Sequence, residues 1–278
     1  FTPFDANSSL RIRSLCTICL FTFLFPIVQT IKEPFSILCF GDSNTWGCIP
    51  KWEDSPEPSQ RYPRGVRWTS ILQEGLGDRF QVIEEGLGGR TTLLEIPKQD
   101  GEGKYKVAKP FFPVCLMTHR PLDMILLMLG TNDMHLPVCP KEESLGEGVR
   151  ELIHLIDAYP STWRDGIRPQ ILLIAPTYIK KAEGRTQVWL KFGEEGLRLS
   201  HLFGTAYRQV ALEEHVDFLD AAAYIGPSDA DGVHLTAEAH RLLGCRILEK
   251  VREMLSGNIA LLEAEKGERD SRGEKVYE

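Results

Sequence analysis

The chain has 278 residues, enough for one α/β domain with a large core. Its 32 basic residues stand against 39 acidic ones, a formal net charge of -7, so no basic stripe exists to neutralise a phosphate backbone and nucleic acid is excluded as an expected partner. The seven cysteines, Cys16, Cys19, Cys39, Cys48, Cys115, Cys139 and Cys245, lack the paired spacing of a disulfide framework or a zinc site, and no metal or cofactor is expected.

In chain order, Arg11 and Arg13 precede an apolar stretch from Leu15 to Val28 that is interrupted by Pro26. That shape fits a secretory signal peptide and is too short for a stable membrane span. No small-residue cleavage site follows, so a non-native leader or a misassigned start fits equally, and residues 1–33 are set apart as an N-terminal extension. The expected location is cytoplasmic, or secreted or periplasmic if residues 11–30 are a genuine signal peptide.

From Phe35 onward short apolar runs alternate with amphipathic stretches. Strands are predicted at residues 36–40, 80–83, 124–129, 171–175 and 216–220, the third being the most central. Helices are predicted at 67–76, along the Leu145, Val149, Leu152, Ile153, Ile156 face, at 195–214 and at 237–255. This βα succession predicts one domain over residues 34–256, a flavodoxin-like doubly wound sheet of about five parallel strands with helices on both faces. Residues 47–64, 93–120 and 177–194 read as long irregular connections, and the charged tail at 257–278 as disordered.

In such a sheet, ligands sit beyond the carboxyl ends of the strands. Four polar clusters fall there: Gly41-Asp42-Ser43-Asn44, Gly86-Leu87-Gly88-Gly89, Gly130-Thr131-Asn132-Asp133 and Asp231-Gly232-Val233-His234. Ser43 follows strand one on a tight turn, but its hydroxyl is a weak nucleophile without a base. His234 is the candidate base and Asp231 the group that orients it. The N–H groups of Ser43 and Gly89 and the amide of Asn132 are candidate donors to an oxyanion, each worth about 2.7 to 4 kcal/mol of transition-state stabilisation.

Taken singly, each cluster also reads as ordinary turn chemistry. Their joint order resembles the SGNH, or GDSL, hydrolases. The resemblance is closest to the bacterial arylesterase and acyltransferase branch, through Ile37 to Gly47, Val66 to Thr69, Val82 to Leu87, Arg90 to Thr92 and Met128 to Asp133. It spans about residues 36–255. It implies the SGNH fold, Ser43 as nucleophile, His234 as base, Asp231 as its orienting carboxylate and an oxyanion hole of Ser43, Gly89 and Asn132. The chain departs from that branch at Asn44, where an apolar residue is common, and at Cys48, where a second Trp occurs.

The function expected is that of a serine esterase, hydrolysing short-chain carboxylic esters through an acyl-enzyme on Ser43, with minor acyl transfer to alcohols. Asn44, Trp46, Gly88, Trp189 and Phe192 are candidate substrate-binding residues, and the resemblance with the exposed-looking Trp189 and Phe192 points to a homo-oligomer. Carbohydrate deacetylation on the same fold and a non-catalytic small-molecule-binding module are the alternatives. Asp133 and Arg90 fit either support of the site or a surface ion pair or turn contact, His240 is expected on a helix surface, and the remaining histidines lack metal-site spacing.

Overall fold

The computed structural model describes residues 33–51, 60–97, 101–181 and 187–271. Five strands, β1 (Phe35–Gly41), β2 (Phe80–Gly86), β3 (Met124–Met128), β4 (Gln170–Ala175) and β5 (Asp217–Asp220), form one sheet in the order β2-β1-β3-β4-β5. Every neighbouring pair is parallel. The expected doubly wound fold is therefore present, with β3 at its centre. The order reverses between β1 and β3, which opens a crevice at their carboxyl ends.

Side chains of a strand alternate between faces, and here both faces are covered, which is why β3 is apolar throughout and β1 and β4 are apolar apart from Ser36 and Gln170 near their starts. Leu38, Phe40, Ile125, Leu127, Ile171 and Leu173 point to one layer, formed by α3 (Ala108–His119), α4 (Glu147–Ala158), α5 (Gln187–Ser200) and α6 (Phe203–Glu213). Ile37, Cys39, Met124, Leu126, Leu172 and Ile174 point to the other, where Trp68 and Leu72 of α2 (Trp68–Leu76) meet Leu243, Ile247 and Val251 of α7 (Ala237–Ser271).

Three elements differ from the sequence expectations. Helix α3 lies inside a stretch expected to be irregular. Two prolines hide it: Pro110 falls in the first turn, where no hydrogen bond is lost, and Pro113 lies inside, where one is, yet Ala108, Phe112 and Leu116 are buried at the four-residue spacing of one helix face. The single helix expected at 195–214 is two helices, since the chain turns at His201 and Leu202, and α5 is itself kinked at Gly193, whose φ of +63° favours glycine. The tail expected to be disordered begins as helix: the α7 backbone continues to Ser271, consistent with the Ala, Leu, Glu and Lys content of residues 260–266.

Candidate functional site

The turn after β1 becomes a short helix, α1 (Ser43–Trp46), capped by Asp42, whose carboxylate accepts from the Asn44 N–H at 2.9 Å. This turn is pressed between the ends of both neighbouring strands. A β-carbon at Gly41 would run into Thr45 and the Met128 carbonyl, and one at Gly86 into the backbone of Trp46. Only glycine lets the three chain segments approach this closely. At the first turn of α1 the Ser43 N–H has no intrahelical acceptor, so it remains available to a ligand.

The segment between β5 and α7 carries Asp231 and His234 to the same edge. Asp231 is fixed by its own backbone: Oδ1 accepts from the N–H groups of Val233 at 3.0 Å and His234 at 2.9 Å. Oδ2 then accepts from Lys51 N–H at 3.3 Å and meets His234 Nδ1 at 2.7 Å. The other imidazole nitrogen, Nε2, lies 3.0 Å from the Ser43 hydroxyl. Burial opposes ionisation of Asp231, but the hydrogen bond and charge of His234 together with the two N–H donors hold it below the usual carboxylate range. Burial likewise opposes charging His234, and the Asp231 carboxylate and the Cys48 sulfur, which also reaches the ring, overcome it and raise the imidazole above its ordinary value.

Two turns on the opposite side are clamped together. Asn132 Nδ2 donates one hydrogen to the Arg90 carbonyl at 3.1 Å, leaving the second free. Next to it, Asp133 accepts from Thr92 N–H and from Thr92 Oγ at 2.6 Å. Arg90 is buried, donates to the Gly41 carbonyl at 2.9 Å and the Glu85 carbonyl at 2.5 Å, and lies 4.0 Å from the centre of the Phe40 ring. Among the described residues neither Asp133 nor Arg90 forms a surface ion pair; both make contacts that tie neighbouring turns and strand ends together. Gly89, between these turns, sits beside the Lys106 side chain, a neighbour with no sequence signal because it arrives from the long connection before α3.

Several expected contacts resolve differently. Asn44, expected against substrate, is 4% exposed with both ends of its amide used: Oδ1 accepts from Leu235 N–H at 3.1 Å and Nδ2 donates to the Val233 carbonyl at 3.3 Å. It therefore pins the His234 segment to the Ser43 turn. Phe192 is 3% exposed and packs on His135 in the core, ring centroids 4.5 Å apart, so it does not present itself to a ligand. Trp46 is half-buried beneath the Arg61 guanidinium, 5.4 Å from its ring centre, and Gly88 borders open space. The Trp189 side chain falls outside the described part of the structure. Cys48, noted in the sequence only as a departure, is the side chain that reaches the base.

His240 corrects the expectation of a surface histidine: it is 0% exposed. It occupies the buried stripe His240, Leu243, Ile247, Val251, Met254 of α7, whose helical spacing is visible in the sequence. Its Nδ1 accepts from the Trp68 N–H at 3.4 Å, and burial, with the nearby His234 and Arg67 charges, pushes its pKa down to about 4. A histidine depressed in the fold gives stability that is present above its unfolded pKa of about 6.5 and lost as pH falls toward the folded value, on the order of 3 kcal/mol by pH 4. Asp42 and Asp133, raised by burial to about 6, and the raised His234 act in the opposite sense on acidification. The expected result is therefore comparative: between pH 7 and 4.5 the urea midpoint of the parent falls further than that of His240→Gln. Parallel losses would remove the assignment.

The parallel sheet has the order 2-1-3-4-5 of a doubly wound α/β fold, and at its carboxyl edge Ser43, His234 and Asp231 stand in hydrogen-bonded succession. The GDSL-like lipase/acylhydrolase family matches residues 39–242, and the chain belongs to it. It is a carboxylic ester hydrolase of the SGNH fold. Among solved structures, a carbohydrate acetylesterase from Sinorhizobium meliloti is 32% identical with a TM-score of 0.71, over 79% of this chain and 99% of that one. An aryl esterase from M. smegmatis is 33% identical with a TM-score of 0.70, over 79% and 99%. A structure described as a putative arylesterase from Agrobacterium tumefaciens is 29% identical with a TM-score of 0.67, over the same shares. Among curated proteins, the uncharacterized lipoprotein YqeF of Bacillus subtilis is 25% identical over 141 residues, which are 50% of this chain and 48% of that protein. The chain thus spans about half the length of that curated relative. Among the described residues, no helix is long and apolar enough to cross a membrane.

Proposed function

We propose that this chain is a serine esterase acting on short-chain carboxylic esters, aryl and alkyl acetates among them, through an acyl-enzyme on Ser43. The observation that carries the reading is the continuous relay from Ser43 Oγ to His234 Nε2, 3.0 Å, and from His234 Nδ1 to Asp231 Oδ2, 2.7 Å. In this reading the Ser43 proton passes to His234 Nε2 as Oγ bonds the ester carbonyl carbon. The oxyanion is received by the N–H groups of Ser43 and Gly89 and the free amide hydrogen of Asn132. His234 returns the proton to the departing alcohol, then takes one from the water that releases the acid. Transfer to an added alcohol is a minor outcome, because Cys48 places a small side chain near His234 where a bulkier one would restrict water.

The acetyl preference draws support from the arylesterase and carbohydrate acetylesterase relatives. The second of these also favours a carbohydrate ester as the natural substrate. Rates of acid release from p-nitrophenyl acetate, butyrate and octanoate and from acetylated sugars test both. The expected order is acetate over octanoate by at least about tenfold in kcat/KM, as one pocket tuned to a short chain allows. Octanoate as the better substrate would overturn the short-chain reading, and sugar acetates exceeding the aryl acetate would select the carbohydrate one.

A further inference from the structure

A cavity of about 300 Å³ lies behind the Asn132 turn, and none of Ser43, Gly89, Asp231 or His234 lines it. That volume is at the small end of the range for ligand sites. Its walls are largely apolar, with Leu93, Met134, Val138, Leu145 and Tyr207, and the carboxyl group of Asp133 enters it from the turn after β3.

The carboxylate is held but not satisfied. Thr92 N–H reaches Oδ1 at 2.9 Å and Oδ2 at 3.2 Å, and Thr92 Oγ donates to Oδ1 at 2.6 Å, so from Thr92 Oδ2 receives the longer arm of a shared bond; the Asp133 N–H adds a weaker contact to the carboxylate. Oδ2 keeps lone pairs for a further donor. None of the lining residues is Lys, Arg or His. Glu147, at the rim, is engaged by Arg150 at 3.1 Å, and the Tyr207 hydroxyl donates to the Leu129 carbonyl at 2.9 Å. The remaining titratable neighbours are the Cys139 thiol, on the wall, and the Asp42 carboxylate, whose charge disfavours a second anion. Burial and that neighbour push the Asp133 pKa up to about 6, so near neutral pH the cavity holds a carboxylate with no counter-cation among the described residues that line it. A half-buried charge of this kind, unpaired with a cation, favours a donor of opposite charge.

We propose that this cavity is a second binding site, separate from the ester cleft, and that it takes a small organic amine. The ammonium group bonds Asp133 Oδ2 and a compact apolar body packs on Met134, Val138 and Leu145. A neutral alcohol of the same shape gains the apolar contact but not the charge-assisted bond, and an acid meets repulsion.

Binding is read directly, because Asp133 shares a turn with Asn132 and activity would mix two effects. The full chain carrying Ser43→Ala, in which no amine can be acylated, is titrated by calorimetry at about pH 8 with benzylamine, benzyl alcohol and benzoate. Benzylamine is expected to bind at least about tenfold more tightly than benzyl alcohol, the least that a charge-assisted hydrogen bond in a desolvated site supplies, and benzoate not at all. Asp133→Asn, which keeps an oxygen for Thr92, should erase that preference. Val138→Phe, which fills the cavity and leaves Asp133 in place, should weaken benzylamine at least tenfold, and it decides the matter if Asp133→Asn does not fold. Equal affinity for amine and alcohol, or an amine preference that survives Val138→Phe, would overturn the proposal.

Discussion

Ser43→Ala is expected to lower kcat for p-nitrophenyl acetate on the order of a millionfold while the thermal midpoint stays within a few degrees of the parent. The size follows from the chemistry: no other hydroxyl meets His234 Nε2 among the described residues, and without the attacking oxygen the relay has nothing to deprotonate except water. The intact fold follows from the contacts. Ser43 Oγ bonds only the His234 ring, whose side chain is 24% exposed, so water can take the vacated position. The first turn of α1 keeps its Asp42 cap and its glycine neighbours. Residual turnover above that of water is expected from the oxyanion donors, which the substitution leaves in place. Turnover at about a tenth of the parent would end the serine mechanism, and a collapsed midpoint would make Ser43 a structural residue.

Much of this was legible in the sequence, for identifiable reasons. Parallel strands buried on both faces need unbroken apolar runs, so β1, β3 and β4 announced themselves, and the polar residues at their carboxyl ends could then only face the crevice. The local step from Asp231 to His234 is three residues, short enough for one turn to set its geometry. What escaped depended on partners distant in sequence. Asn44 reads as a polar residue beside a nucleophile, and only the arrival of Val233 and Leu235 from 189 and 191 residues away turns it into a brace. Cys48 reaches His234 for the same reason. Helix α3 was concealed by local chemistry, two prolines, that its buried face outweighs. Phe192 stands in a loop-like sequence context, whereas α5 and the Asn132 turn close over it: Leu136 N–H donates to the Lys191 carbonyl at 2.9 Å beside the tilted pair of His135 and Phe192 rings. His240 alone was recoverable, since its spacing to Leu243 and Ile247 is that of the buried face.

Asp231→Asn is expected to lower kcat by about ten-thousandfold and to move the acid side of the pH profile downward. The backbone of the Asp231 turn dictates why. One oxygen is committed to the Val233 and His234 N–H groups, so an asparagine keeps its carbonyl oxygen there and turns its NH₂ toward His234 Nδ1. A donor facing Nδ1 forces the neutral ring to carry its proton on Nε2, where it confronts Ser43 with a hydrogen instead of a lone pair. The tautomer is then wrong for a base, which is the source of a loss of this scale. The pH argument runs through the same contact. Activity needs neutral His234 and appears as pH rises through its pKa, and because Asp231 raises that pKa, the parent's acid limb in kcat/KM should lie above the ordinary histidine value of about 6.5. Removing the carboxylate removes the hydrogen bond and the charge that favour the imidazolium, while burial, which disfavours it, remains. The residual activity of Asp231→Asn should therefore reach its plateau at lower pH than the parent does. Profiles of kcat/KM from pH 5 to 10 for both proteins check this. A parent limb at or below pH 6.5, or an unshifted limb in the variant, would show that Asp231 orients the ring without setting its charge.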